Sequence, residues 1–239
     1  MGVGYNPRIV TDGLVFCLDA ANKRSYPGGT TWIDKVGGNN GTLTNGPTFS
    51  SDNGGSLVFD GSNDVVNCGP TNNIIGNNPA AISLSVWFKT SSTSRIYAAS
   101  LKRSNAESTL LSITINQQDN GAFDANNVAN HLGFLYDVGS NHKWVTVNNS
   151  TFYGKWNQIT ATVDVNAATL YLNGVQAGQN TSQTFAGPSR SGPTGSFTLG
   201  SFGTQFYLNG NISQSYIYNK VLSADEVRQN YEATKERYA

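Results

Sequence analysis

Apolar and polar residues alternate with a period of two along most of this 239-residue chain, the pattern of strands with one face on a core. The sharpest case is Ile82 to Lys89, where Leu84, Val86 and Phe88 alternate with Ser83, Ser85 and Trp87. Leu14 to Leu18, Thr42 to Thr44, Arg95 to Lys102, Thr109 to Ile115, His131 to Val138 and Lys143 to Val147 read as further strands, as do Trp156 to Val165, Phe197 to Gly200, Thr204 to Leu208 and Asn211 to Tyr218. Two turns punctuate the series. In Gly55 to Cys68, Leu57 and Phe59 share one face of the first run and Val66 and Cys68 one face of the second; Asp60-Gly61-Ser62-Asn63-Asp64 lies between them, which reads as a hairpin. Asn173-Gly174 between two β runs is the stronger hairpin signal, since both residues tolerate the positive φ of a type I′ turn. Asp19 to Thr31, Asn45 to Gly54 and Asn72 to Ala81 read as irregular or turn-forming, and Asn116 to Asn130 and Gln183 to Gly195 as long polar loops.

The period changes once, at the end. Ser223-Ala-Asp-Glu226 is a capping box, Leu222 and Val227 occupy the staple positions around it, and Lys235 and Arg237 fall where a helix dipole favours cations, which predicts a helix over residues 223–237. Residues 1–13 are glycine-rich with few apolar side chains, and read as an extended arm that orders only against a partner. The expected organisation is therefore an arm over 1–13 and one domain over 14–239, an all-β sandwich with a C-terminal helix.

Composition narrows the function. Only 13% of residues are charged, against roughly 25% in globular proteins, and fifteen basic residues balance fifteen acidic ones. That leaves no electrostatic footprint for nucleic acid and no polybasic segment for a membrane surface. The amino terminus lacks the apolar stretch of a signal peptide and no run approaches a membrane span, so conventional secretion and membrane insertion are not expected. Five Asn-x-Ser/Thr sequons, at Asn40, Asn148, Asn149, Asn180 and Asn211, are then chance matches in an Asn-rich chain. Cys17 and Cys68 sit inside apolar runs and read as small buried hydrophobes, with a disulfide between them the lesser alternative. With His131 and His142 the only histidines, no zinc-ligand spacing exists.

Candidate chemistry is sparse. Of the four glutamates, Glu226, Glu232 and Glu236 fall in the terminal helix and Glu107 stands alone, so the paired carboxylates of a glycosidase are missing. Asp12, Asp60, Asp64 and Asp119 occupy turn-like positions where backbone bonding accounts for them, and no Gly-x-Ser-x-Gly elbow supports a serine nucleophile. An enzyme is not expected, nor any cofactor. Sugar sites use exposed aromatic faces with amide and carboxylate hydrogen bonds, which makes Trp32, Tyr136, Trp144 and Tyr207 the carbohydrate-binding candidates, while Trp87 and Trp156 are assigned to packing.

Several landmarks occur in order: Thr11-Asp-Gly-Leu-Val, Gly55-Ser-Leu-Val-Phe-Asp-Gly-Ser-Asn-Asp, Ser85-Val-Trp-Phe-Lys, Trp156-Asn-Gln-Ile-Thr-Ala-Thr-Val-Asp, Leu170-Tyr-Leu-Asn-Gly and Gly210-Asn-Ile-Ser-Gln-Ser-Tyr-Ile-Tyr-Asn-Lys-Val-Leu-Ser-Ala-Asp-Glu-Val. Together they resemble the laminin-G-like, concanavalin A-like jelly-roll family. The stretch from Leu18 to Gly28 and the Asn230-Tyr-Glu-Ala-Thr-Lys-Glu-Arg-Tyr ending resemble, more narrowly, single-domain virion components of tailed bacteriophages, notably cyanophages. The resemblance implies two antiparallel sheets face to face, adjacent termini and a non-enzymatic role in adhesion or assembly. It implies a capsid decoration protein or a tail-fibre or baseplate module, with other virion proteins or further copies of the chain as partners and a host-surface glycan as candidate ligand. Tyr5, Pro7 and Ile9 of the arm would then form the attachment surface. Where many relatives carry an Asp that helps bind calcium, this chain has Ser213, and the resemblance therefore implies no essential metal; Asp60 and Asp64 alone fall short of an oxygen cage.

Overall fold

Period-two alternation becomes sixteen strands in the computed structural model, which describes residues 7–77, 79–104, 108–117, 127–138, 142–182, 185 and 195–239. In chain order they are β1 (Leu14–Asp19), β2 (Thr31–Trp32), β3 (Gly41–Thr44), β4 (Thr48–Ser50), β5 (Ser56–Asp60), β6 (Val65–Pro70), β7 (Ile82–Thr90) and β8 (Ile96–Ser104). There follow β9 (Ser108–Gln117), β10 (Asn127–Asp137), β11 (His142–Asn148), β12 (Trp156–Val163), β13 (Ala168–Leu172), β14 (Val175–Asn180), β15 (Ser196–Leu199) and β16 (Asn209–Tyr218). The helices are α1 (Thr71–Ile75) and α2 (Ala224–Glu232).

Among the described residues the strands divide equally between two antiparallel sheets. The first runs β14-β13-β12-β7-β16-β5-β4, and β1 shares with β5 the remaining edge of β16, as the register Cys17↔Tyr216 and Ile212↔Leu57 shows. The expected neighbourhood of Leu14–Leu18 and the last strand is thus realised as direct pairing. The second sheet runs β11-β10-β9-β8-β15-β6-β3-β2. Leu84, Val86 and Phe88 from β7 meet Leu111, Ile113, Leu132 and Phe134 in one core between the layers. Each such side chain contributes about 1.5–3 kcal/mol on burial. This is the two-sheet jelly-roll sandwich that the alternation and the motifs predicted.

The Gly55–Cys68 stretch departs from its expected form. β5 lies in the first sheet and β6 in the second, so the turn between them carries the chain across the sandwich and closes no hairpin. Its chemistry is as read: Asp60 Oδ1 accepts from the Ser62 amide at 2.7 Å and Asp64 Oδ2 from the Asp60 amide at 3.0 Å. Leu57 and Phe59 face Val66 and Cys68 across the core rather than along one sheet. Asn173-Gly174 does form a hairpin, pairing Leu172 with Val175 at φ of 52° and 79°.

Smaller differences have local causes. The irregular stretches hold β4 and α1. Residues 204–208 form a loop, and β12 ends at Val163. β9 extends to Gln117 and β10 begins at Asn127, leaving the centre of the 116–130 interval outside the described residues, as are 183–184 and 186–194 of the second long loop. The terminal helix is shorter than predicted. Its capping box forms, with the Glu226 amide donating to Ser223 Oγ at 3.2 Å and the Ser223 amide to Glu226 Oε2 at 2.8 Å. It ends at Glu232 because Thr234 bonds back to the Asn230 carbonyl through its hydroxyl, after which Lys235–Tyr238 turns as a 3-10 segment.

That C-terminal assembly covers the outer side of the first sheet. Val227, Tyr171, Tyr216, Tyr218 and Leu222 make a second apolar cluster there, joined by Ile9 and Val10. Residues 8–10 dock on α2: the Val10 amide donates to Asn230 Oδ1 at 2.7 Å, Tyr218 donates to the Val10 carbonyl at 3.0 Å and Gln229 to the Arg8 carbonyl at 2.7 Å. The partner that orders this part of the arm is the chain's own helix. Both cysteines are free thiols, Cys17 against the α2 cluster and Cys68 in the core. Burial, aided by Asp19 and Asp34, pushes the Cys17 thiol up to about 12.

Candidate functional site

The outer side of the second sheet is polar where that of the first is covered by apolar packing. Register places Asn67, Thr198, Ser100 and Ser112 in one row across β6, β15, β8 and β9. Ser100 and Ser112 bond to each other at 2.6 Å between hydroxyls. Over this row folds the 200–208 loop. It is anchored at both ends, by the Gly200 amide to the Ala98 carbonyl at 3.0 Å and the Leu208 amide to the Gly200 carbonyl at 2.8 Å. Phe202 and Gln205 close its tip through reciprocal backbone bonds. Within it, Phe202 and Phe206 lie 4.9 and 5.6 Å from Tyr97 between ring centroids, and the Arg95 guanidinium caps the Phe206 ring at 3.6 Å. Phe206 holds φ of 54°, a left-handed backbone costly for a bulky residue and concentrated at binding sites in general.

Between the loop tip and the sheet lies a cavity of about 250 Å³, lined by Thr44, Val65, Asn67, Lys102, Ser196, Thr198, Gly203 and Thr204. Its wall is mostly apolar, from Val65 and the methyl and methylene groups of the other residues, and carries hydroxyls, one amide and one ammonium as its polar groups. Asn67 already accepts the Gly69 amide on Oδ1 at 2.9 Å, which turns Nδ2 into the free donor. Thr198 donates to the Ser201 carbonyl at 2.9 Å and keeps its lone pairs for a ligand. Among the described residues no carboxylate lines the cavity.

The four aromatic candidates are not brought together. Trp32 and Tyr136 are fully buried in the core and offer no face to a ligand, a correction that follows from the inward phase of β2 and β10. Trp144 packs on Leu135 outside the core and lines an open, mostly polar groove between β11 and β14, but with 7% exposure it is a wall rather than a stacking platform. Tyr207 is half-buried in the 200–208 loop and is not among the residues that line the cavity. Trp87 and Trp156 pack as assigned, Trp87 between Tyr231 and Tyr238 and Trp156 on Tyr238. Of the arm residues, Ile9 packs on the α2 cluster and Pro7 lines a groove with Arg8, Asp225, Arg228, Gln229 and Glu232, while Tyr5 lies outside the described residues. Lys102, Asn67, Thr198 and Thr204 were missed. The detectable signal was a lysine closing the apolar run Ile96 to Leu101, beside a threonine and an asparagine whose proximity only strand order reveals.

No metal centre is formed: among the described residues, no group of three or more His, Cys, Asp or Glu side chains is placed to hold an ion. Ser213 is spent on structure, donating to the Gly55 carbonyl at 2.7 Å and accepting from Tyr238 at 2.9 Å. No helix among the described residues is long and apolar enough to cross a membrane.

A two-layer antiparallel jelly roll is an architecture that lectin domains share. Residues 59–228 match the laminin-G-type profile of the concanavalin A-like lectin/glucanases superfamily, and the chain belongs to that superfamily. Among solved structures it resembles the receptor-binding domain of botulinum neurotoxin C/D mosaic serotype (TM-score 0.69, 17% identity, 93% of this chain and 52% of that one). It also resembles domain 4 of AbnA, a GH43 extracellular arabinanase from Geobacillus stearothermophilus solved with arabinotriose (0.64, 18%, 91% and 98%). A third similar structure is the Trypanosoma rangeli sialidase (0.69, 14%, 99% and 36%). The chain spans about half the length of the neurotoxin domains it matches. At such identities the likeness is one of fold. No curated protein matches the chain.

Proposed function

We propose that this domain binds carbohydrate without cleaving it, holding a sugar in the cavity between the 200–208 loop and the outer face of the second sheet. The observation that carries the reading is the lining itself: hydroxyl, amide and ammonium groups converge on a small cavity beneath a loop braced by three aromatic rings. Rigid placement of a few polar groups beside an apolar floor is what sugar recognition requires. Hydrolysis would need two carboxylates flanking the bond, and among the described residues the lining contains none. Domain 4 of the arabinanase, bound to arabinotriose in its own structure, supports a ligand of this class on this fold.

The test is an oligosaccharide titration of the full chain followed by backbone-amide NMR. Shifts confined to Asn67, Thr198 and Gly203, lost in an Asn67→Ala, Thr198→Val double variant, are the expected result. Shifts elsewhere, or release of reducing ends, would refute it. The narrower placement on a phage particle, with the α2 side anchoring the domain, draws on the sequence motifs. Immunogold labelling that finds no copy of this chain on virions would remove it.

A further inference from the structure

Among the described residues Lys102 is the one charged side chain in the cavity wall, and it is only 7% exposed. The β8–β9 register breaks on both sides of it, between Leu101 and Lys102 and again between Lys102 and Ser104. Such bulges re-aim a side chain and recur beside binding sites. Its Nζ lies 5.4 Å from the Phe202 ring centroid, and a Cβ on Gly203 would stand 3.1 Å from it, so the ammonium sits under the loop tip. Among the described residues no carboxylate pairs with it; the adjacent Arg103 has already engaged Asp137. The Phe202 ring offers partial compensation for a desolvated ammonium, and a full partner is an anion. Asn67 Nδ2, a second N–H donor of the lining, adds to the same polarity.

We infer that the sugar taken by this cavity is acidic, carrying a carboxylate or sulfate that pairs with Lys102. The inference rests on the carbohydrate-binding reading and goes further by naming the ligand's charge. A cavity of about 250 Å³ admits one ring or its charged substituent rather than a length of chain, since sites for larger ligands run to roughly 300–1,000 Å³. Recognition is therefore of a single acidic unit, read by charge at Lys102 and by hydroxyl contacts at Thr198 and Thr44.

The experiment compares matched probes on the full chain by calorimetry and NMR: galacturonate, glucuronate and mannuronate trisaccharides, their neutral methyl esters, and a sulfated heparin tetrasaccharide. A charge-assisted bond predicts that at least one acidic probe binds roughly ten- to hundred-fold more tightly than its neutral counterpart. The preference should weaken from about 20 to about 300 mM salt. Lys102→Met should erase the difference between acid and ester, and Lys155→Met, at an exposed position in the turn before β12, should preserve it. A uronate response identifies a carboxylate ligand, and a response to the heparin probe alone a sulfated one. Equal binding of acid and ester to the unmodified chain, a comparison that needs no variant to fold, would overturn the inference and leave carbohydrate binding standing. Failure of every probe, acidic or neutral, would overturn both.

Discussion

Removing the Tyr238 ring should unfasten the C-terminal turn from the first sheet. Trp87 lies at the centre of that sheet's outer face, registered between Gln158 and Gln214, and donates its indole N–H to Thr234 Oγ1 at 3.0 Å. Tyr238 stacks on it with centroids 4.0 Å apart and 26° between planes, lies 4.9 Å from Trp156, and bonds Ser213 through its hydroxyl. Two aromatic pairs contribute about 0.5–1.5 kcal/mol each, the hydroxyl bond about 1, and burial of a half-exposed ring about 1 more. Tyr238→Ala should therefore cost about 3–5 kcal/mol, which in a chain of this size lowers Tm by roughly 6–20 °C. Tyr238→Phe, which loses only the hydroxyl bond, should cost about 1 kcal/mol. Urea unfolding followed by tryptophan fluorescence measures both, and the alanine variant should also red-shift native emission as Trp87 and Trp156 gain water. An alanine variant within about 0.5 kcal/mol of the parent, inside the range of ordinary surface changes, would show that the turn is not a clamp.

Asp34→Asn should lose about 2–4 kcal/mol, because the buried carboxylate accepts the amides of Cys17, Val36, Gly37 and Asn39 at 2.9–3.0 Å and an amide group cannot replace both oxygens; a shifted denaturant midpoint checks it. Burial holds the His142 imidazole below its ordinary range, against the opposing pull of the Thr109 carbonyl and Asp137. The unfolded chain then takes up the proton first, so this group's stabilisation is present above about pH 6.5 and lost as pH falls through that value; the urea midpoint should drop from neutral to mildly acidic buffer, and His142→Gln should flatten the drop. Deleting residues 1–10 should lower Tm measurably, since it strips Val10 from its pocket and leaves Asn230 and Tyr218 short of partners; an unchanged melt would mean the arm contributes nothing to the fold.

Features governed by neighbouring residues were legible before any coordinates. The positive-φ pair Asn173-Gly174 and the Ser223–Glu226 capping box each depend on bonds spanning a few positions and form as read, and alternation in Ile82–Lys89 sets the core face correctly, although the face of Ser83, Ser85 and Trp87, expected to be open, is buried as well. Distant partners decided the rest. Turn chemistry at Asp60–Asp64 satisfies its own backbone equally well in a hairpin or in a crossing between layers, and only the pairing of β5 with β16 and of β6 with β15 selects the crossing. Helix propensity runs past Glu232, yet the bond from Trp87 to Thr234, between residues 147 positions apart, marks where the chain leaves the α-helix for a 3-10 turn. An aromatic residue in a polar context looks alike whether it faces a sugar or a core, which is why Trp32 and Tyr136 were plausible ligands until their strands were placed. Conversely, Lys102 and Asn67 are unremarkable in sequence and line one cavity only because β15 inserts between their strands and the 200–208 loop roofs the gap. Local hydrogen bonding and side-chain period were set by the sequence on its own; which faces meet, and what is enclosed between them, was decided by pairing across the whole chain.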